Sequence, residues 1–199
     1  VAVIKPFPLT SADYFVFTDT ESSGLHSTDD QIIQLTCVLT GRYPAFPIIT
    51  YFSSYVRLDD EREIHPEAFK THGLSREFLA DKPVEEMVAL LLHDFTHLVP
   101  SPVFAGYNCP FDLAMLDALQ RRTMHLAAYK TPSLDIYREL KARVYLGNHE
   151  KAHSLESALK HFGLSTAGAH DSATDIYNTI KLARIVLPMP IKEELCRAS

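Results

Sequence analysis

Cysteine is sparse. Cys37, Cys109 and Cys196 lie far apart in a chain of 199 residues, and no CxxC pair occurs. That pattern argues against a disulfide framework or a zinc knuckle, and a reducing, intracellular compartment is the expectation. No apolar run is long enough to span a membrane as a helix. The first residues, Val1 to Pro6, are too short and too poorly patterned for a signal peptide. There is no initiator methionine, as expected of a processed or excised piece. Basic charge is short as well: 19 Lys+Arg face 25 Asp+Glu, a net charge of −6. Such a chain does not coat duplex nucleic acid by bulk electrostatics. It still suits a protein that grips a short stretch through bound metal and a local basic patch. Internal repeats, low-complexity tracts and long linkers are missing, so one domain over 1–199, with its core at about 14–187, is the simplest account.

What is present is ordinary for a soluble globular protein, with 46% hydrophobic and 22% charged residues. The chain is long enough to bury a sizeable core. Its most informative stretch runs from Tyr14 to Gly24. An aromatic and β-branched run, Tyr14 to Thr18, reads as a buried strand. It ends in Asp19-Thr20-Glu21, two carboxylates one residue apart, followed by Ser22-Ser23-Gly24. Side chains alternate along a strand, so Asp19 and Glu21 point the same way. Their repulsion is relieved by a divalent cation, and hard oxygen ligands suit Mg²⁺ or Mn²⁺. The plainer reading is that one of them only turns the chain.

Gln31–Thr40 and Ile48–Leu58 read as two further strands, joined by links short enough for antiparallel neighbours. Pro66 starts a short helix closed by Gly73. Lys82-Pro83 opens a longer one to about His97, with Val84, Met87, Val88, Leu91, Leu92 and Phe95 as its apolar side. Val103–Tyr107 is a short buried strand, and Pro110 opens a helix to about Met124 with Leu113, Ala114, Leu116 and Leu119 inward. Ser133-Leu134-Asp135 is a last strand, leading to helices near 136–145, 154–162 and 172–187. The result is a mixed sheet with helices on its faces and the first strand at its centre.

Two more segments carry candidate chemistry. In Asn108-Cys109-Pro110-Phe111-Asp112, the acid falls in the first turn of a helix, where a favourable dipole interaction would explain it. In His170-Asp171-Ser172-Ala173-Thr174-Asp175, Ser172 and Asp175 match a capping box. Each segment alone has a plain structural explanation.

Taken in order, the three segments resemble the DEDD superfamily of 3′→5′ exonucleases in its histidine-containing branch (DEDDh), which includes bacterial proofreading subunits and ribonuclease T. The resemblance runs from about Tyr14 to Leu187. It takes in Ile64-His65-Pro66 through His72-Gly73-Leu74 and the helix start at Ser154-Leu155. It implies a ribonuclease H-like fold, an α/β mixed five-stranded sheet flanked by helices. It implies two divalent cations, Mg²⁺ or Mn²⁺, held by Asp19, Glu21, Asp112 and Asp175. Asp19 would bridge both ions, Glu21 and Asp175 would complete the nucleophile-side one, and Asp112 would support the second. His170 matches the general base, and imidazole titrates in the right range for that task. Ser22 and Gly24 match the turn near the terminal 3′-OH, Leu25 an apolar wedge against the last base, and Asn108 and Phe111 the walls of the pocket. Ser22-Ser23 stand where threonine is frequent.

The function implied is removal of nucleoside 5′-monophosphates from the 3′ ends of single-stranded DNA. An exoribonuclease trimming RNA or short oligoribonucleotides is the alternative, since no motif reveals how the pocket treats the 2′-OH. A non-catalytic module attached to a polymerase ranks lower, because all five matching residues are present. A polymerase or other protein partner fits either nuclease reading. His149 and His153, four apart, lack a third zinc ligand nearby. Arg121, Arg122, Lys141, Arg143 and Lys151 are candidates for phosphate contact or for solvated surface charge.

Overall fold

A computed structural model describes residues 9–124, 133–147 and 152–191. Strand β1 (Phe15–Ser22) is the centre of a five-stranded sheet. On one side β2 (Ile32–Thr40) pairs antiparallel with β1, and β3 (Ile48–Tyr55) antiparallel with β2. On the other side β4 (Val103–Gly106) runs parallel to β1, and β5 (Ser133–Asp135) parallel to β4. Seven helices accompany it among the described residues: α1 (Pro66–His72), α2 (Arg76–Leu79), α3 (Glu85–Thr96), α4 (Cys109–Met124), α5 (Ile136–Arg143), α6 (Leu155–His161) and α7 (Ser172–Val186).

β1 is apolar because both of its faces are covered. Phe15 and Phe17 face one core, built with Ile136 and Leu140 of α5 and with Ile176, Ile180 and Ala183 of α7. Val16 faces the other, built with Val88 and Leu92 of α3 and Met115, Leu116 and Leu119 of α4. Phe46 stacks edge-on against Phe15 and Phe17, with ring centroids 5.1 and 5.2 Å away. Alternation then carries the α7-side face of the strand on to Asp19 and Glu21, and the α4-side face on to Thr18 and Thr20.

Pairing between β1 and β4 covers only Phe15–Phe17 against Val103–Ala105. Gly106 ends β4 close to β1; a Cβ there would lie 2.9 Å from the Thr18 carbonyl oxygen. Asn108 turns the chain in the left-handed region (φ 62°) and α4 begins at the next residue.

Several expectations need correction. The short helix α2, capped by Ser75, was not expected, and the helix expected from Lys82 begins at Glu85. Val88, Leu92 and Phe95 make the buried stripe of α3, whereas Met87 and Leu91 are exposed, one position off that stripe. Ala114 is exposed, and Met115 takes the inward position on α4. Helix α7 is capped by Asp171, whose carboxylate accepts the Thr174 N–H, so Ser172 and Asp175 do not form the capping box. Cys196, His149 and Lys151 lie outside the described residues.

Candidate functional site

Four acids and a histidine from three distant segments meet at the end of β1. Asp19 sits opposite Thr36 and Glu21 opposite Gln34 on β2, and a bulge follows between Glu21 and Ser22. Asp112 comes from the first turn of α4, on the other face of the strand. Its Oδ1 accepts two hydrogen bonds from Thr20, from the backbone N–H at 3.0 Å and from Oγ1 at 2.8 Å. Asp175 comes from the first turn of α7, and its Oδ2 accepts the backbone N–H of His170 at 3.1 Å. His170 itself is exposed, with φ at 67°.

The entry to α7 is built from polar contacts with β2. Gln34 Nε2 donates to Asp171 Oδ1 at 3.0 Å, while Asp171 Oδ2 caps the helix through Thr174. Thr36 Oγ1 lies 2.7 Å from Ser172 Oγ. These bonds fix the loop that carries His170 relative to the strand opposite Asp19 and Glu21.

Electrostatically the cluster crowds four carboxyls into a largely buried space, and each is held above its ordinary range. Burial pushes the Asp19 carboxyl well above its ordinary range, and the charges of Asp112, Glu21 and Asp175 push it further. Glu21 is raised from 4.5 to about 8, first by burial and then by Asp175 and Asp112. Asp112 is raised by burial to about 7, and the Thr20 hydroxyl and amide oppose the rise. Asp175 is raised by burial, opposed by the His170 N–H. Among the described residues, one oxygen of Glu21, one of Asp175 and a ring nitrogen of His170 lie within 4.8 Å of one another, close enough to surround a single cation. Oxygen-rich donors that repel one another when empty fit a hard divalent ion.

Beside the acids lies a cavity of about 440 Å³ lined by Glu21, Ser22, Gly24, Leu25, Thr71, His72 and Phe111, among others. Leu25 projects at its mouth, 79% exposed. Asn108 is exposed and does not line this cavity; its N–H donates to Asp135 Oδ1 at 3.0 Å, which fixes the turn into α4. Sequence reasoning passed over two residues here. Thr20 holds Asp112, and His72 closes the cavity with Nδ1 accepting the Leu74 N–H at 3.0 Å. Burial lowers the His72 pKa, and because Nδ1 accepts the Leu74 N–H, the neutral ring carries its proton on Nε2. The only sequence signal for His72 was its place in the linking segment His65 to Leu74.

The basic candidates are engaged elsewhere. Arg122 pairs with buried Glu85 at 2.6 Å and with the Ser27 carbonyl, Arg121 pairs with Asp117, and Arg143 pairs with Glu139 and the Met189 carbonyl. Lys141 lies over the ring of Tyr137. Both described cysteines are buried, with the Cys37 thiol pushed up to about 12, so neither is a ready ligand.

Residues 16–183 match the family model described as exonuclease, of the RNase T type. The chain belongs to the RNase T exonuclease family. Among relatives of this exonuclease, DNA polymerase III subunit epsilon of Treponema pallidum is 28% identical over 162 residues, 81% of this chain and 70% of the relative. The PolC-type DNA polymerase III of Bacillus subtilis is 24% identical over 91% of this chain but only 12% of its own length. The solved structure of E. coli exonuclease I in complex with a dT13 oligonucleotide superposes with a TM-score of 0.78 at 22% identity, over 94% of this chain and 43% of the other. That likeness establishes the ribonuclease H-like fold. The chain spans less than half the length of that structure.

Proposed function

We propose that this exonuclease removes nucleoside 5′-monophosphates one at a time from the 3′ end of single-stranded DNA. The observation that carries the reading is the convergence of Glu21, His170 and Asp175 within 4.8 Å, with the charges of Asp112, Glu21 and Asp175 all felt by Asp19. Asp19, Glu21, Asp112 and Asp175 would hold two divalent cations, Mg²⁺ or Mn²⁺. When bound, such ions activate a water and offset the charge that builds on a phosphodiester during displacement. His170, exposed and adjacent to Glu21 and Asp175, accepts the proton that the attacking water must lose. Leu25 and Phe111 bracket the terminal nucleoside in the cavity, and the backbone from Ser22 to Gly24 approaches its 3′-OH. DNA is favoured over RNA because the relatives named above are a DNA polymerase III subunit and a PolC-type DNA polymerase III, which also makes a polymerase a fitting partner.

A digestion time course tests this. Matched 5′-labelled single-stranded DNA and RNA oligonucleotides are incubated with Mg²⁺ or Mn²⁺, with EDTA and Asp19→Ala as controls. The expected result is a ladder shortening from the 3′ end, faster on DNA and abolished by both controls. Faster trimming of RNA would reassign the substrate. No cleavage of either by folded, metal-loaded protein would sink the stand-alone nuclease reading.

A further inference from the structure

Thr20, between the two strand acids, points away from them, to the face of β1 covered by α4. Because β4 stops pairing at Phe17, the β4 side of β1 has no strand partner at Thr20, and Asp112 takes that place. The contact joins residues 92 positions apart, and both are buried. Two donors from one residue meet at a single oxygen, Oδ1. One donor alone leaves a carboxylate free to pivot about its broad terminal torsion; two donors set its plane.

We infer that the Thr20 hydroxyl is a positioning group for the cation site: it holds Asp112 by Oδ1, so that Oδ2 is the oxygen offered to a divalent ion. This rests on the metal role proposed above for Asp112. The backbone N–H of Thr20 remains whatever side chain stands there, so the hydroxyl is the part of the arrangement that the sequence controls. Hydrogen-bond partners of ligating groups govern affinity strongly, because they set the ligand's orientation before the ion arrives. A role confined to holding α4 against β1 would alter stability and leave metal affinity untouched.

The test is Mn²⁺ titration calorimetry on the parent, Thr20→Val, Thr20→Ser and Asp19→Ala, with metal-free melting curves for each. Val keeps the β-branched shape and loses only the hydroxyl, and Thr20→Ala repeats the deletion should Val fail to fold. Mn²⁺ affinity is expected to fall about tenfold in Thr20→Val, with Thr20→Ser returning most of the loss. The Mn²⁺ concentration giving half-maximal cleavage of labelled DNA rises in parallel. Thr20→Val binding Mn²⁺ as the parent does, or Thr20→Ser binding no better than Thr20→Val, overturns the inference while leaving the nuclease reading intact. A parent protein that binds no Mn²⁺, like Asp19→Ala, overturns the metal site itself and this inference with it.

Discussion

At the residue scale, the acids at the end of β1 are held together against their own repulsion. Glu21 has its carboxyl raised from 4.5 to about 8 in the metal-free fold, so the native state binds a proton there that the unfolded chain has released. The sign follows by linkage: this group contributes least strain below about pH 4.5, and stability is lost as pH rises towards about 8. Asp112, raised to about 7, acts in the same direction. Melting of the protein in EDTA should therefore fall between about pH 5 and pH 8, and Glu21→Gln should flatten that fall. Calorimetric melting across this range checks it; equal slopes for parent and variant would remove Glu21 as a source. Asp19 and Glu21 were legible in the sequence because strand alternation alone puts them on one side. Asp112 was not legible alone, since an acid in the first turn of a helix satisfies the dipole equally well. Only its place in the series of motifs marked it.

At the element scale, the site depends on where β4 stops and where α7 begins. Gly106 lets the end of β4 lie against β1, with only 2.9 Å between a hypothetical Cβ and the Thr18 carbonyl oxygen. Gly106→Ala forces the two strands apart just before the turn that delivers Asp112. A destabilisation of about 1–3 kcal/mol is expected from such overpacking, together with weaker metal binding. Denaturant unfolding and Mn²⁺ titration check the two effects, and an unchanged unfolding midpoint would show that the strands do not touch closely there. The start of α7 illustrates what periodicity leaves open. Asp171 and Ser172 are both good caps. The choice falls to Asp171 because Gln34, on a strand 137 positions away, fixes its other oxygen. Met87 and Leu91 on α3 mislead for a related reason: their spacing fits a helix, but the buried stripe runs one position over, through Val88 and Leu92.

At the scale of the whole molecule, five strands with the first at the centre, and helices on both faces, follow from the alternation of apolar runs with Gly, Pro and Ser. Short elements such as α2 escape because four residues carry too little periodicity to register. The site couples to the stability of the entire fold. A divalent ion that binds the native chain and not the unfolded one adds about 2.7 kcal/mol at one hundred times its dissociation constant. In a chain of this size that raises the melting temperature by about 5–10 °C. Differential scanning calorimetry with and without saturating Mg²⁺ measures the shift, which Asp19→Ala should abolish; an equal shift in that variant would place the ion elsewhere.

The order in which the chain supplies these groups has a consequence for its synthesis. Asp19, Glu21 and Asp112 are translated first, while His170 and Asp175 belong to the last described helix and the loop before it. Helix α7 packs across β1 and β2, so its seating waits until residues up to about Val186 have left the ribosome. A half-made copy thus carries three of the acids but no seated histidine, and the cluster of Glu21, His170 and Asp175 closes only once α7 has been made.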